Sequence, residues 1–322
     1  MEKEDLRIVF MGTPEFAVET LKALIDNQYN VVAVVTQPDK SVGRHGSVLQ
    51  APPVKQYALQ HGIPVLQPIK MKDETFVEQL RNYRANLQVV VAFRMLPEIV
   101  WNMPEYGTFN VHASLLPQYR GAAPINWAVI NGEQQTGVTT FFLDKDIDTG
   151  RIIMQTTFDI PDNANVEYVY NGLMRLGADI CLKTLQAIIA ADGHPESMAQ
   201  EENTSLKHAP KIFKETCEIN WQQNTKNIYD FIRGLSPHPG AWTVLANNHG
   251  DEATLKIYET TKTGKKSDKQ PGSIITDKRH LYITTGNGEL LSIDELQMAG
   301  KKKMKAGDFI NGMKDLENCH VK

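Results

Sequence analysis

The stretch Phe109-Asn110-Val111-His112-Ala113-Ser114-Leu115-Leu116-Pro117 sets an amide and an imidazole two residues apart and then stops at a proline. Side chains alternate along a strand, so residues two apart share a face. Asn110 and His112 would then stand side by side at a strand end, a hydrogen-bond donor next to a group that titrates near neutral pH. That pairing suits polarising a carbonyl and moving a proton. Two half-buried polar residues of no special function would give the same triplet, so the chemistry depends on the neighbouring segments. Immediately downstream, Gln118-Tyr119-Arg120-Gly121-Ala122-Ala123-Pro124 supplies small residues that let a ligand approach backbone amides and carbonyls.

Three other segments carry candidate chemistry. Gly12-Thr13-Pro14-Glu15-Phe16 follows an apolar run, and ligands of open parallel sheets bind beyond the carboxyl ends of the strands. The later glycines of G-x-G-x-x-G are missing, so a tight turn facing a ligand is expected there rather than a dinucleotide site. Residues 36–53, TQPDKSVGRHGSVLQAPP, form a long polar segment bounded by prolines, with Lys40, Arg44 and His45 among two glycines. Such a loop fits gripping a phosphate backbone; it also fits a solvated surface loop. Residues 143–150, LDKDIDTG, alternate three carboxylates. They lack the mid-loop glycine and closing glutamate of a calcium loop. Asp148, beside Thr149-Gly150, is best placed to face a cleft, although aspartate is also an ordinary turn residue.

The elements that must position these residues alternate. Continuous apolar runs at 6–11, 31–36, 87–93 and 108–112 read as strands, with an extended segment at 137–143. Helical spacing appears at 15–26, 53–61, 73–83, 124–131 and 166–191. Strands of this kind interleaved with helices predict an α/β domain with a mostly parallel sheet, covered on both faces. After residue 191 the character changes: 192–206 is a polar connector. Beyond it, one helix at 225–234 and short strands at 241–245, 255–260, 272–276, 280–285 and 289–293 predict a small OB-like β-barrel. Residues 262–270 are expected to be no more than a charged hairpin loop. The domain boundaries are therefore expected at 1–191, 192–206 and 207–322, with no internal repeat.

With 322 residues, two domains are expected, and 41% hydrophobic residues suffice for sizeable cores. The first six residues lack the apolar stretch of a signal peptide, and no run approaches a membrane span. The three cysteines, Cys181, Cys217 and Cys319, are far apart and form neither a disulfide framework nor a zinc signature. A cytoplasmic protein is expected. From Lys207 onward there are 18 Lys and Arg against 14 Asp and Glu, while the preceding residues hold 16 against 24. A basic C-terminal part on an acidic N-terminal part hints at a polyanionic partner.

In this order the segments resemble the methionyl-tRNA formyltransferase family. The resemblance runs along essentially the whole chain: FMGTPEFA at 10–17, TQPDK at 36–40, APPVK at 51–55, VVAF at 90–93, NVHASLLPQYRGAAPI at 110–125, GVT at 137–139, DTG at 148–150, INW at 219–221, RGLSPHPGAW at 233–242 and AGKKKM at 299–304. It implies a Rossmann-like formyltransferase domain followed by an OB-like domain that helps hold tRNA. It implies transfer of a formyl group from 10-formyltetrahydrofolate to the α-amine of methionyl initiator tRNA, with no metal. The family's catalytic trio maps to Asn110, His112 and Asp148, its folate-binding segment to Ser114, Leu115, Leu116 and Pro117, and its functional loop arginine to Arg44. A free α-amine has a pKa of about 8, so a neutral fraction exists near neutrality. Asn110 and His112 are expected to donate to the developing oxyanion. Asp148 is expected to orient His112 and help relay the amine's proton; His112 itself fits as neutral or protonated.

Two departures stand out. Arg94 occupies a position that is glycine in many members, where it would bear on the folate's glutamate tail or pack outside the pocket. The loop reads RHGS where several basic residues are common, so tRNA grip is expected from Lys40 and Arg44 shared with Lys211, Arg233 and Lys301, Lys302 and Lys303. A formyltransferase acting on another amine, such as a nucleotide sugar, would keep the same trio; the basic C-terminal part and RGLSPHPGAW favour tRNA. These expectations make affinity for tRNA salt-dependent. It should fall at least about tenfold between roughly 50 and 200 mM salt, measured by filter binding, and a flat titration would remove the argument from the basic domain.

Overall fold

The computed structural model describes residues 1–42, 48–201, 205–313 and 315–322. It divides into two compact units, one of Met1–Gly121, Gln135–Asp159 and Tyr170–His208, the other of Ala122–Gln134, Ile160–Val169 and Ala209–Lys322. In chain order the strands and helices up to the connector are β1 (Ile8–Gly12), α1 (Glu15–Asp26), β2 (Val31–Val35), β3 (Lys40–Val42), β4 (Val48–Gln50), α2 (Pro53–Gln60), β5 (Val65–Leu66), α3 (Glu74–Asn82), β6 (Leu87–Val91), α4 (Glu98–Trp101), β7 (Thr108–His112), β8 (Arg120–Gly121), α5 (Pro124–Ile130), β9 (Gln135–Phe142), β10 (Ile152–Asp159) and α6 (Val166–Ala190).

The first unit is built on a seven-stranded sheet in the order β10-β9-β7-β6-β1-β2-β5. β1, β2, β5, β6 and β7 are parallel. β9 and β10 run antiparallel to their neighbours at one side. β1 and β6 are buried along their whole length, which is why both read as unbroken apolar runs. One core of this unit gathers Val9, Met11, Ala33, Val35, Val90, Phe76 and Leu80. α3 begins where the Asp73 carboxylate accepts from the Phe76 N–H at 3.1 Å, satisfying a donor left free by the first turn. α1 begins hard against the end of β1. A Cβ on Gly12 would lie 2.6 Å from the Ala17 Cβ and 3.0 Å from the Val91 carbonyl oxygen, so close strand–helix packing explains this glycine.

The remaining elements are β11 (His208–Ala209), α7 (Thr225–Leu235), β12 (Ala241–Asn247), β13 (Glu252–Lys266), β14 (Ile274–Thr276), β15 (Leu281–Thr284), β16 (Glu289–Met298), β17 (Met304–Lys305), α8 (Ala306–Gly312) and β18 (Cys319–Val321). In the second unit an antiparallel sheet runs β14-β15-β16-β13-β12-β18, with β17 paired to β16. An antiparallel bridge between Ser273 and His320 links the two ends of that order, and Val321 N–H donates to the Gly272 carbonyl at 2.9 Å. The sheet is thus a nearly closed barrel, as the OB-like expectation requires. Trp221, Ile232, Ile257, Ile283, Leu291 and Phe309 are among its core residues.

Three local expectations are corrected. Residues 36–53 are not structureless, because Lys40–Val42 pairs antiparallel with Val48–Gln50; residues 43–47, and with them Arg44 and His45, lie outside the described residues. Residues 262–266 are strand, continuing β13 as far as the Lys266–Glu289 pair. Their polar, mostly exposed side chains hide the strand from a hydrophobic pattern. β10 escaped the sequence reading altogether: it is the outermost strand on its side of the sheet and alternates half-buried with exposed residues.

The glycine of the GVT motif has a packing reason. A Cβ at Gly137 would lie 2.1 Å from the Thr156 carbonyl oxygen and 2.5 Å from a Leu115 methyl, and a backbone atom cannot yield as a side chain does. Gly137→Ala is expected to cost about 3 kcal/mol, read as a lowered midpoint in urea unfolding; a midpoint equal to the parent's would show that the strands separate freely there.

Candidate active site

β7 carries the two residues from which the site is built. Its central parallel pairing with β6 and its antiparallel pairing with β9 fix Asn110 opposite Phe141 and His112 opposite Thr139. His112 is buried, 6% exposed. Its Nε2 lies 3.0 Å from the Tyr119 carbonyl oxygen. A carbonyl oxygen only accepts, so Nε2 carries the proton and Nδ1 is the nitrogen left with a lone pair in the neutral ring. Nδ1 faces Asp148, whose Oδ2 stands 3.9 Å away. That gap is too long for a direct hydrogen bond. The same Oδ2 accepts from the Gly121 N–H at 2.9 Å. Asn110 is half-buried, and its Oδ1 is buried without a hydrogen-bond partner among the described residues. A buried acceptor left unmade is costly, and a donor on a bound molecule would relieve that cost.

Of the trio expected from the sequence, His112 and Asp148 stand 3.9 Å apart, and Asn110 lies two residues before His112 on β7. The Nε2–H of His112 is committed to the backbone, so the ring does not present that N–H as an oxyanion donor; it presents Nδ1. Two residues near it hold left-handed backbone, Tyr119 at φ 61° and Asp148 at φ 57°. Non-glycine residues adopt that region only where their surroundings hold them there. The other carboxylates of the loop stay out of the site: Asp144 accepts from the Asp146 N–H and the Thr149 hydroxyl at 3.2 and 2.7 Å and closes the turn.

The Ser114-Leu115-Leu116-Pro117 segment, which ends in a cis Leu116–Pro117 bond, is pinned by two side chains. The Thr139 hydroxyl, fully buried, donates to the Ser114 carbonyl at 2.7 Å and accepts from the Leu116 N–H at 3.1 Å and from Gln155 Nε2 at 2.9 Å. Gln155 Nε2 also donates to the Leu116 carbonyl at 2.8 Å. The Ser114 hydroxyl is spent on the Gln118 carbonyl at 2.7 Å, and Leu116 packs on Phe141 and Ile152. Thr139, Gln155 and a third residue, Gln200, were missed in the sequence. Thr139 sat in a noted motif whose spacing gave no role, Gln155 lies in the unassigned β10, and Gln200 falls in the polar connector.

Arg94 is occupied structurally. Its guanidinium donates to the Ile69 carbonyl at 2.9 Å and to the Pro68 carbonyl, and it lies 5.7 Å from the centre of the Phe93 ring. At the base of the β3–β4 hairpin, Asp39 takes Gln67 Nε2 at 2.6 Å and Lys55 Nζ at 2.8 Å, and these bonds hold its carboxyl below the usual range. Lys40 is exposed on that hairpin. In the second unit, Lys301 and Lys302 are exposed. Lys211 lies 5.3 Å from the centre of the exposed Phe213 ring. Lys303 pairs with Glu295 at 2.5 Å and lies over Tyr258. Arg233 corrects the expectation of a tRNA contact: it is 6% exposed, with Nε on Asp230 at 2.7 Å and Nη1 on the Ala164 carbonyl at 2.8 Å. It neutralises a buried carboxylate in the core of its unit. Burial pushes the Cys181 thiol well above its ordinary pKa, so it is a core residue. Among the described residues no His, Cys, Asp and Glu group could hold a metal, and no helix is long and apolar enough to cross a membrane.

Two family models match the chain, Formyl transferase over residues 6–185 and Formyl transferase, C-terminal domain, over 211–314. Methionyl-tRNA formyltransferase of Parabacteroides distasonis is 57% identical over 326 residues, covering 100% of both chains. That of Bacteroides fragilis is 55% identical over 316 residues, covering 97% of this chain and 96% of the other. Among solved structures, the N-formyltransferase of Helicobacter canadensis, in complex with folinic acid and dTDP-3-aminofucose, superposes with a TM-score of 0.64 at 21% identity, covering 89% of this chain and 98% of that one. At that identity the likeness concerns the fold.

The pinning hydroxyl can be tested by its removal. Thr139→Val keeps the shape but strips the Ser114 carbonyl and the Leu116 N–H of their partner, and should cost on the order of 2–3 kcal/mol in unfolding free energy. Calorimetry showing an unchanged midpoint would mean that the segment is held by packing alone.

Proposed function

This chain belongs to the methionyl-tRNA formyltransferase family, and we propose how its residues carry that family's reaction, the transfer of the formyl group of 10-formyltetrahydrofolate to the α-amine of methionyl initiator tRNA. The product is formylmethionyl-tRNA, for translation initiation. 10-Formyltetrahydrofolate supplies the formyl carbon and a nitrogen leaving group. The observation that carries the residue assignment is the convergence, in one unit, of the unpartnered Asn110 Oδ1, the bare Nδ1 of His112 and Asp148 at 3.9 Å.

Asn110 fits such a ligand pair because its amide offers both an acceptor and donors. Oδ1 would take an N–H of the incoming amine and so aim its lone pair. The amide N–H groups would meet the oxygen on which negative charge develops. His112, proton already on Nε2, would receive the amine's proton at Nδ1 and return it to the folate nitrogen as the bond from that nitrogen to the formyl carbon breaks, so that tetrahydrofolate leaves and the ring ends neutral. While the ring holds that proton, Asp148 faces an imidazolium across 3.9 Å, which lowers the cost of that charge. Ser114, Leu115, Leu116 and Pro117 would hold the folate, their backbone fixed by Thr139 and Gln155. We assign catalysis to residues 1–191 and most of the tRNA grip to 207–322 through Lys211, Lys301, Lys302 and Lys303, joined by Lys40 and Arg44 from residues 36–53 of the first domain, and place the enzyme in the cytoplasm.

Incubation with 10-formyltetrahydrofolate and methionine-charged initiator or elongator tRNA should give formyl-methionine from the initiator alone. Formylation of neither tRNA would end this reading. His112→Ala should lower kcat by about 10²–10⁴ while tRNA binding stays close to the parent's; equal turnover by variant and parent would remove Nδ1 from the mechanism.

A further inference from the structure

Asp148 is held at its backbone as well as at its carboxylate. Gln200 Nε2 donates to the Asp148 carbonyl and to the Gly150 carbonyl, both at 2.8 Å, so one amide bridges the carbonyls of the two residues that flank Thr149. Gln200 Oε1 accepts from Arg120 Nε at 3.1 Å and Nη2 at 2.7 Å. The orientation of this amide is dictated by its partners: a guanidinium only donates and carbonyls only accept. Arg120 is next to Gly121, whose N–H holds the Asp148 carboxylate. The ring of contacts therefore closes on itself, from Arg120 to Gln200, to the Asp148 backbone, to its carboxylate and back to Gly121.

The segment that brings Gln200 here is fixed as well. Met198 exchanges both backbone hydrogen bonds with Ile152 at 2.8 Å, and Arg151 Nε donates to the Ser197 hydroxyl at 3.0 Å. A stretch that reads in sequence as polar connector is thus laid antiparallel along the start of β10. Meanwhile Asp148 keeps its left-handed φ of 57°, a conformation that needs outside support.

We propose that Gln200 is a positioning residue, acting through Asp148 to set where the carboxylate stands against His112 Nδ1; the proposal rests on the formyltransferase reading above. Nothing in it requires Gln200 to touch either substrate. The test uses the full chain with Gln200→Glu and Gln200→Met. Gln200→Glu keeps the size and the acceptor toward Arg120, but sets an oxygen against the two carbonyls. Gln200→Met keeps the length, adds no charge and has no donor, so it carries the test if the first variant fails to fold.

The expected result is a kcat lowered about ten- to a hundredfold, with KM for both substrates and tRNA affinity near the parent's. A crystal structure of the variant should show the Asp148 carboxylate off the Gly121 N–H. A kcat within about twofold of the parent, a loss confined to KM, or a variant structure with Asp148 unmoved would each overturn the proposal. Parent turnover reports on the function itself, whereas the ratio of variant to parent and the variant's structure report on Gln200.

Discussion

The hydrogen bond from His112 Nε2 to the Tyr119 carbonyl is the constraint on which the rest of the site depends. It decides the tautomer, and the tautomer decides which nitrogen can take a proton. With Nε2–H committed to the main chain, the lone pair of the neutral ring is on Nδ1, and Asp148 is on that side. The constraint also ties the imidazole on β7 to the segment after Pro117, so strand end and loop move together. A ring free to rotate would lose the distinction between its nitrogens, and with it the fixed direction in which Nδ1 faces the carboxylate 3.9 Å away.

Around this point the fold substitutes side-chain hydrogen bonds for regular structure. The segment Ser114–Pro117 has no helix or strand partner, so its polar backbone atoms must be met otherwise. One threonine hydroxyl uses its single donor and accepts two N–H groups there. Placing that hydroxyl requires β9 to lie close to β7 and β10, which the bare Gly137 permits. Left-handed residues at 119 and 148 fall at the ends of the bonds that define the site, where strain is held by neighbours rather than relieved.

Much of this was legible in the sequence because buried parallel strands write themselves as apolar runs. β7 was read at its true limits, and Asn110, His112 and Asp148 were singled out from residue type and spacing before their convergence was known. What could not be read depends on distance through space. Nothing in the chain near Gln155 or Gln200 says that either amide reaches a backbone carbonyl some forty to fifty residues away. Arg233 looked like a free cation because its partner is a carboxylate three positions earlier on the same helix, a spacing equally common on exposed faces. β10 and the end of β13 were hidden because strands with a solvated face carry too few apolar residues to show a period. Arg94, an oddity in the sequence, is held by two carbonyls beneath the ends of its fork.

The Ser273–His320 bridge has a bearing on how the second unit survives in a crowded solution. An open antiparallel sheet leaves a row of unsatisfied amides at each rim, a template on which another chain can add and from which fibrils grow. Here β14 and β18, the outermost strands of the order, are only three residues each and meet through that bridge. The barrel thereby withholds the edge that self-association would need.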